Sequence, residues 1–209
     1  MEHTTKKWAG TTFGTAWMHE KLIGMLRHVD VRVFYAFTLI FVVPPCLLFG
    51  KSRRFIYDYL RNRQGLSRGK AAWFTFRNHW LFSQVVVDKF AMYAGHRFEV
   101  EIDGYEHYLE LEKKADAFVQ LSSHIGNYEI AGYTLKATNK RFNALVFGGE
   151  KSSVMRERNR LLHRDNIHLI AVKADMSHLF EVNAALANNE CVSMPADRVF
   201  GSSKSVEVT

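Results

Sequence analysis

A histidine and a glutamate five residues apart are the pair in this sequence best suited to acid–base chemistry. His124 follows the apolar run Ala117–Ser122, and Glu129 lies where a helical pattern begins. The chain between them is predicted to turn from a strand into the first turn of a helix, which lets the carboxylate reach the imidazole. A carboxylate on one ring nitrogen fixes the tautomer and stabilises the imidazolium while the other nitrogen accepts a proton. The pair therefore suits a general base that activates a hydroxyl for attack on an acyl group.

A histidine followed by a glutamate at the fifth position occurs at three places in the sequence. The predicted geometry distinguishes the three pairs. The other two pairs are His96 with Glu101 and His107 with Glu112. The first pair brackets a predicted strand, in which an odd offset directs side chains to opposite faces. The second pair lies on one predicted helix, in which five residues change the direction by roughly 140°. Only the pair that contains His124 crosses a turn.

Backbone groups beside the pair are candidates for binding negative charge. Gly126 and the amides at the start of the helix could bind an oxyanion. A second interpretation stays open, in which His124 is a turn histidine and Glu129 is a favourable acid at a helix N-terminus. Spacing and pattern do not choose between the two interpretations.

The pair lies in a region where strand and helix patterns alternate. The predicted strands are 98–102, 117–122, 142–147, 167–172 and 191–194, and the predicted helices are 105–114, 126–137, 152–163 and 177–187. Repeated strand–helix units predict an α/β fold with a mainly parallel sheet and flanking helices. Ligands of such sheets bind outside the carboxyl ends of the strands. His124 is at such an end, and the segments 147–150, 173–175 and 195–198 follow three others, so the four loops are predicted to share one crevice.

The residues before this region are apolar, basic and predicted to be helical. Residues 15–28 and 70–94 have apolar side chains at helical spacing, and Val33–Gly50 contains no charged residue. As a straight helix, the charge-free segment would be roughly 27 Å long, close to a hydrocarbon thickness of about 30 Å, but Pro44-Pro45 predicts a kink or break. Basic residues flank it, and such flanks are attracted to anionic lipid. A membrane-embedded or interfacial segment is predicted, with a buried core helix as the alternative; spanning and insertion into one leaflet both stay open.

Composition and charge narrow the classes of partner. Lys and Arg outnumber Asp and Glu by 28 − 21 = 7, and the sequence pI is about 9.4. This balance favours acidic partners such as phospholipid headgroups, nucleic acid or an acidic carrier protein. No RNA-reading motif is present, so nucleic acid is not expected as a partner. Cys46 and Cys191 are far apart and have no metal-binding spacing, which is typical of a reduced compartment without a disulfide framework.

The motif around His124 resembles that of a known family. The chain reads Ser122-Ser-His124-Ile-Gly-Asn-Tyr-Glu129, which is similar to the Ser-His-x-Gly-Asn-Trp-Glu motif of the bacterial lipid A biosynthesis acyltransferases. These enzymes belong to the wider lysophospholipid and glycerol-phosphate acyltransferases, whose motif is His-x-x-x-x-Asp/Glu. The order of features is also similar: a Gly-containing start, an apolar segment with basic flanks, a helical stretch, the motif, and a Pro-Asp-x-x-x-Gly-like block at 195–201. The resemblance covers nearly the whole chain.

The resemblance implies a glycerol-phosphate acyltransferase-like fold and a bacterial enzyme on the cytoplasmic face of the inner membrane. Such an enzyme moves a fatty acyl chain from an acyl carrier protein, or from acyl-coenzyme A, to a hydroxyl of a membrane lipid. His124 would be the general base and Glu129 its orienting partner, with no covalent acyl-enzyme, no metal and no other cofactor. The residues expected to bind substrate, oxyanion or phosphate are Gly126, Asn127, Glu150, Arg156, Arg158, Asp197 and Arg198. A non-catalytic lipid- or membrane-binding module of the same fold is the alternative.

Three positions depart from the family pattern. Tyr128 stands in place of the usual Trp. Phe147-Gly-Gly-Glu150 replaces a block that usually contains an arginine, so an arginine of the helix 152–163 is expected to supply the cation. The block from Pro195 to Gly201 is one residue longer than usual, which bears on the acceptor lipid more than on the chemistry.

Two domains are expected. A helical region, 1–97, contains the membrane-associated segment 33–50, and an α/β acyltransferase domain covers 98–209. The terminal pattern Val-Glu-Val-Thr209 alternates as a strand does, which predicts that the C-terminus is cut within the domain.

Overall fold

The computed structural model describes residues 14–134, 138–150, 152–162, 166–173 and 175–197. Contacts divide the described chain into two compact units. One unit is Trp17–Phe98, and the other contains the described residues from Glu99 onward together with residues 14–16. The division into domains 1–97 and 98–209 stays a prediction, because contacts within a unit do not test independent folding.

The first unit is helical throughout its regular structure. Its helices are α1 Ala16–Leu26, α2 Val31–Phe37, a π-helical turn Thr38–Val42, α3 Val43–Phe49, α4 Ser52–Asn62 and α5 Arg68–Ala94. The Asp30 side chain caps α2 by accepting a hydrogen bond from the Arg32 amide, and Ser67 caps α5 by accepting one from the Lys70 amide. Helix α5 ends at Gly95, whose φ of 102° is accessible mainly to glycine. The aromatic and apolar pattern at 70–94 correctly predicted the long helix.

The two prolines do not stop the apolar helix. Pro44 and Pro45 lie in the first turn of α3, where missing amide protons are tolerated. The preceding turn widens, so that the Val43 amide donates to the Thr38 carbonyl five residues earlier. The expected break is thus replaced by a π-helical turn, and Val31–Phe49 is one helical stretch of 19 residues. By length and composition this stretch could cross a membrane, and only 6% of its most apolar window is buried.

The second unit alternates helices and strands. Its elements are α6 Tyr105–Lys113, β1 Phe118–Ser122, α7 Tyr128–Thr134, β2 Phe142–Phe147, α8 Ser152–Leu162, β3 Ile167–Val172, α9 His178–Ala187 and β4 Cys191–Pro195. The four strands form one parallel sheet in the order β1-β4-β2-β3. The predicted α/β fold with a parallel sheet and flanking helices, preceded by an apolar N-terminal helix, is confirmed. All four carboxyl ends lie at the same edge of the sheet.

One predicted strand is wrong. Residues 98–102 have no regular secondary structure, and the sheet of the described residues contains only the four strands from β1 to β4. Alternating apolar and acidic residues specify which side chains share a face, but a strand also needs a neighbouring strand to accept and donate its hydrogen bonds. Val100 and Ile102 are accordingly exposed.

The core of the α/β unit lies at the amino ends of its strands. Phe142, Ile167 and Cys191 begin β2, β3 and β4, and they form a buried cluster against which Tyr108 and Phe118 pack. Burial raises the pKa of the Cys191 thiol to about 12, so the thiol is uncharged at neutral pH. The opposite, carboxyl ends of the strands carry the loops that hold the candidate site residues.

A buried carboxylate anchors the chain that enters β2. Glu112 accepts hydrogen bonds from the Thr138 amide at 2.6 Å, the Thr138 hydroxyl at 2.9 Å and the Asn139 amide at 3.1 Å. Glu112 is the acid that follows His107 by five residues. The buried Glu112 carboxylate therefore serves to bind the backbone amides just before β2, and this explains the acid of the His107–Glu112 pair without a role in catalysis.

Candidate active site

The register of β1 on β4 places two predicted site residues side by side. Ser122 pairs with Pro195 at the carboxyl ends of the two strands. The Ala196 amide then donates to the Ser122 carbonyl at 2.8 Å, which continues the pairing by one step. His124 and Asp197 each follow the last paired residue by two positions. Parallel pairing therefore carries both side chains to the same point at the edge of the sheet.

Asp197 binds His124 through both of its carboxylate oxygens. The Nδ1 atom of His124 lies 2.8 Å from Oδ1, and the His124 backbone amide donates to Oδ2 at 3.1 Å. These hydrogen bonds lower the pKa of Asp197, first through the ring and then through the amide. An ionised carboxylate accepts but cannot donate, so Nδ1 carries the proton. In a neutral ring, Nε2 then has the lone pair that a general base requires.

The site is open to solvent and to substrate. The side chains of His124 and Asp197 are 17% and 33% exposed. Leu121, three residues before His124 in the chain, and Ile125, which directly follows it, are largely exposed. An accessible base beside exposed apolar side chains is suited to a substrate with an acyl chain.

The turn after β1 holds the imidazole from a second side. Gly126 has a φ of 62°, a conformation that favours glycine, and the Ile125 amide donates to the Ser123 carbonyl at 2.9 Å. The turn leads into α7, whose first residue, Tyr128, packs its ring edge-on against the His124 ring at a centroid distance of 4.6 Å. Tyr128 was noted in the sequence only as a replacement for Trp, and its contact with the base was not predicted.

Glu129 forms a close ion pair with Arg158. Nη2 of Arg158 lies 2.7 Å from Oε1 of Glu129, and the two side chains are 14% and 9% exposed. The pair joins the first turn of α7 to the middle of α8. The structure thus gives Glu129 a guanidinium partner and gives the His124 ring an Asp197 partner. The assignment of Glu129 as the residue that orients His124 stays a prediction.

The other predicted binding residues occupy separate positions. Asn127 precedes α7 and accepts a long hydrogen bond, 3.5 Å, from the Ile130 amide. Glu150 lies half-buried in the loop after β2, and Arg156 is exposed on α8. Arg198 lies outside the described residues. The roles of these residues in binding substrate, oxyanion or phosphate stay predictions.

The loop after β3 contains a locally bonded acid. Asp175 accepts a hydrogen bond from the Ser177 amide at 3.0 Å, and this bond is the main reason for its lowered pKa. Within the parts of the chain that the structure describes, no three His, Cys, Asp or Glu side chains are grouped to hold a metal ion. The expectation of no metal stays a prediction.

The partnership between His124 and Asp197 was the main feature that sequence reasoning missed. Asp197 was predicted to lie at the site, but as a substrate or anion contact. Only the strand order provides the missing signal, because β1 and β4 must be neighbours for their following loops to meet.

Comparisons with known proteins identify a family. The family model described as bacterial lipid A biosynthesis acyltransferase matches residues 80–209, which include all four strands and the His124 turn. A search of curated proteins found no match. A search of solved structures also found none.

Proposed function

The chain belongs to the bacterial lipid A biosynthesis acyltransferase family, and from this premise we propose how its site transfers an acyl group. Membership makes it an acyltransferase whose acceptor is a lipid. In the proposal the donor is a fatty acyl thioester, carried by acyl carrier protein or coenzyme A, and the acceptor group is a hydroxyl of a membrane lipid. The contact between His124 and Asp197 is the observation that carries the proposal.

His124 acts as the general base through Nε2. With Nδ1 bound to Asp197, Nε2 accepts the proton of the lipid hydroxyl as its oxygen attacks the thioester carbonyl carbon. The tetrahedral intermediate collapses when the carbon–sulfur bond breaks. The imidazolium then returns the proton to the departing thiolate. The acyl group moves directly between the two substrates, and no acyl-enzyme forms.

Asp197 takes the orienting role in this proposal. An imidazole has two ring nitrogens, and one of them must remain available to the substrate. A carboxylate on Nδ1 leaves Nε2 for catalysis, whereas a second carboxylate on the ring would compete with the hydroxyl. Glu129 is therefore assigned to hold Arg158 beside the turn. This differs from the sequence prediction, in which Glu129 orients the ring, and substitution of each acid decides between the two assignments.

Anion binding completes the proposal. The negative charge of the intermediate or of a lipid phosphate needs donors or cations within reach. The proposed contacts are the Gly126 backbone amide, Asn127, Arg156, Arg158 and Arg198, with Glu150 as a contact to the acceptor. Asp197 is not among them, because its carboxylate repels an anion and is already bound to His124.

The proposed location is the cytoplasmic face of the bacterial inner membrane. The family is membrane-associated, and the exposed apolar stretch Val31–Phe49 gives the chain a means of attachment. Fatty acyl thioesters of both kinds are made in the cytoplasm, so a base on that face meets its donor there.

The test is acyl transfer by the purified full chain in mixed micelles. Radiolabelled palmitoyl-acyl carrier protein or palmitoyl-coenzyme A serves as donor, and a total membrane lipid extract serves as the acceptor pool. His124→Ala should reduce transfer by roughly 10²- to 10⁴-fold, the usual contribution of a general base. His107→Ala is the matched control, because His107 is exposed and is also followed by a glutamate at the fifth position. Equal transfer by the two variants would contradict the proposal.

The same assay tests the alternative of a non-catalytic membrane-binding module, which membership in an acyltransferase family disfavours. The exposed apolar surface of Val31–Phe49 is compatible with a membrane-bound enzyme and with such a module. This candidate predicts no transfer from either thioester by the unaltered chain. It also predicts that His124→Ala binds lipid vesicles as well as the unaltered chain does.

A further inference from the structure

The helical unit Trp17–Phe98 contains the stretch Val31–Phe49, which could span a membrane, and the helix α5, which is too polar to do so. We propose that this unit enters only one leaflet of an anionic membrane, with Val31–Phe49 lying in that leaflet and both of its ends on the same side. The inference rests on the membrane location in the proposed function and is independent of the chemistry at His124.

The apolar stretch is exposed along its length. Phe37, Ile40, Phe41, Leu48 and Phe49 all present more than half of their surface, and Phe49 is 85% exposed. A solvated surface of this kind is unfavourable in water, so a partner of low polarity is required. Helical geometry makes the 19 residues about 28 Å long. Length alone therefore permits both a crossing of the bilayer and a position within one leaflet.

Polar contacts attach the apolar stretch to α5 in antiparallel fashion. The Tyr35 hydroxyl donates to the Asp88 carboxylate. Nearer the middle of the stretch, the Ser83 hydroxyl donates to the Thr38 hydroxyl at 3.1 Å. Beyond the end of the stretch, Ser52 Oγ and His79 Nε2 are 3.2 Å apart. Residue numbers rise along the apolar stretch while those of their partners fall along α5. The two helices therefore lie side by side and run in opposite directions.

Helix α5 is too polar to cross hydrocarbon. Between Ala72 and Lys89 it contains Arg77, Asn78, His79, Gln84, Asp88 and Lys89. Arg77 and Asn78 are exposed, and charged side chains are strongly disfavoured near the centre of a bilayer. If Val31–Phe49 crossed the membrane, its contacts with α5 would carry these side chains into the hydrocarbon. A position within one leaflet keeps the contacts and leaves the polar residues of α5 near the headgroups.

The segment after the apolar stretch has the composition of an interfacial helix. Residues 51–70 contain seven basic residues and one acid, a net charge of 7 − 1 = +6. The basic residues are Lys51, Arg53, Arg54, Arg61, Arg63, Arg68 and Lys70. Within the same segment, Phe55 on α4 is 75% exposed. Aromatic and cationic side chains on one amphipathic helix are typical of binding in the headgroup plane of anionic lipid.

A groove between α4 and α5 continues the apolar surface. It has a volume of about 510 Å³ and is lined mainly by apolar and aromatic side chains, with Arg77 and Asn78 beside them. The lining residues of α4 are Phe55, Ile56, Tyr59 and Leu60. An apolar groove with an adjacent cation matches the chain and the phosphate of a phospholipid. The positive charge of residues 51–70 and the apolar lining of the groove both match one occupant, a leaflet that contains anionic phospholipid.

Cysteine labelling in membranes tests the topology. Cys191 is buried and Cys46 is exposed, so Cys46→Ser gives a background without an accessible thiol. Single cysteines are then placed in the full chain by His28→Cys and Asn62→Cys. Both positions are exposed, and one precedes the apolar stretch in the chain while the other follows it. Each variant is treated with a membrane-impermeant maleimide in right-side-out and in inside-out inner-membrane vesicles. Labelling in detergent shows that each thiol can react.

The inference predicts that both cysteines react in inside-out vesicles and that neither reacts in right-side-out vesicles. Labelling of the two positions from opposite sides would overturn it. Protection of both positions in every vesicle would also overturn it, because the flanks would then lie in hydrocarbon. The measurement needs no turnover, so an inactive His124→Ala variant must give the same labelling. Loss of acyl transfer and failure of the topology are therefore distinguished.

Vesicle binding tests the chemistry of the partner. The double variant Arg53→Gln/Arg54→Gln should bind phosphatidylglycerol vesicles about 30-fold more weakly than the unaltered chain. Binding to phosphatidylcholine vesicles should be unchanged. Lys113→Gln/Lys114→Gln is the matched control, because it removes two adjacent exposed cations from the other unit. An equal loss in both double variants would show that net charge, and not this surface, attracts the lipid.

Discussion

The Nδ1 atom of His124 lies 2.8 Å from Oδ1 of Asp197, although the two residues are 73 positions apart in the chain. The second oxygen of Asp197 binds the backbone amide of the same histidine. One carboxylate therefore fixes both the ring and the main chain of the proposed base. Glu129, the acid that lies closer in sequence, is bound by the guanidinium of Arg158. Since the two acids have different partners, their substitution should have different effects.

Removal of the charge of Asp197 should reduce turnover more than removal of the charge of Glu129. Asp197→Asn keeps the shape of the side chain but no longer stabilises the imidazolium or fixes its tautomer, so kcat should fall by roughly 10²- to 10⁴-fold. KM should change little, because the substitution weakens stabilisation of the transition state and leaves binding of the substrates unchanged. Steady-state acyl transfer by Asp197→Asn and Glu129→Gln measures the difference. A larger loss of kcat in Glu129→Gln would return the orienting role to Glu129.

The pH dependence of stability should also change in Asp197→Asn. The hydrogen bonds from His124 lower the pKa of Asp197 below its ordinary value of 3.8. A carboxyl group whose pKa is lowered in the folded chain stabilises the fold above its ordinary pKa, and this stabilisation is lost as pH falls through the lowered pKa. The difference in the free energy of unfolding between the unaltered chain and Asp197→Asn should therefore be constant above about pH 5 and should shrink as pH falls below that range. Denaturant unfolding in detergent at a series of pH values measures the difference. A difference that does not change with pH would show that the charge of Asp197 does not bind His124 in the folded chain.

The ion pair between Arg158 and Glu129 should stabilise the fold. Arg158→Met removes the guanidinium from a carboxylate that is only 9% exposed. Loss of one partner of a buried pair lowers the free energy of unfolding by at most about 3–5 kcal/mol. The double variant Arg158→Met/Glu129→Gln should recover part of that loss, because the remaining charge is also removed. Thermal unfolding in detergent of both single variants and the double variant measures the coupling. Additive effects would mean that the two side chains do not stabilise each other.

The turn after β1 should depend on glycine at one position. Gly126 has a φ of 62°, and a Cβ there would meet no atom within 4 Å. Gly126→Ala should therefore be strained by its backbone conformation alone, by about 1–2 kcal/mol, and the shifted turn should lower acyl transfer. Gly132→Ala is the control, because Gly132 lies in α7, also has open space around it and has no positive φ. It should be neutral or stabilise the chain, since alanine favours helices. Equal effects of the two substitutions on melting temperature would contradict the assigned strain.

Local patterns in the sequence were sufficient to predict most of the secondary structure. The runs at 142–147 and 167–172 are strands with those bounds, and the pattern at 152–163 corresponds to α8, Ser152–Leu162. These elements have strong periodicity and clear boundaries, which depend only on nearby residues. The segment 98–102 shows the limit of such reasoning, because its alternation is strand-like and yet the described chain offers it no partner strand. At Pro44-Pro45, a local rule predicted a kink or break, and the turn before it widened instead.

The sequence by itself determined that His124 lies in a turn between a strand and a helix, with Gly126 in the turn and an acid in the first helical turn. Apolar runs, glycine and helix-start residues act within a few positions of one another, so these features can be predicted from one stretch of chain. Only the tertiary structure decided which acid meets the imidazole. The order β1-β4-β2-β3 makes β4 the neighbour of β1, and the register Ser122 on Pro195 aligns the residues that follow each strand. Strand order depends on how whole helices and strands pack over many residues, and no local pattern around His124 carries that information.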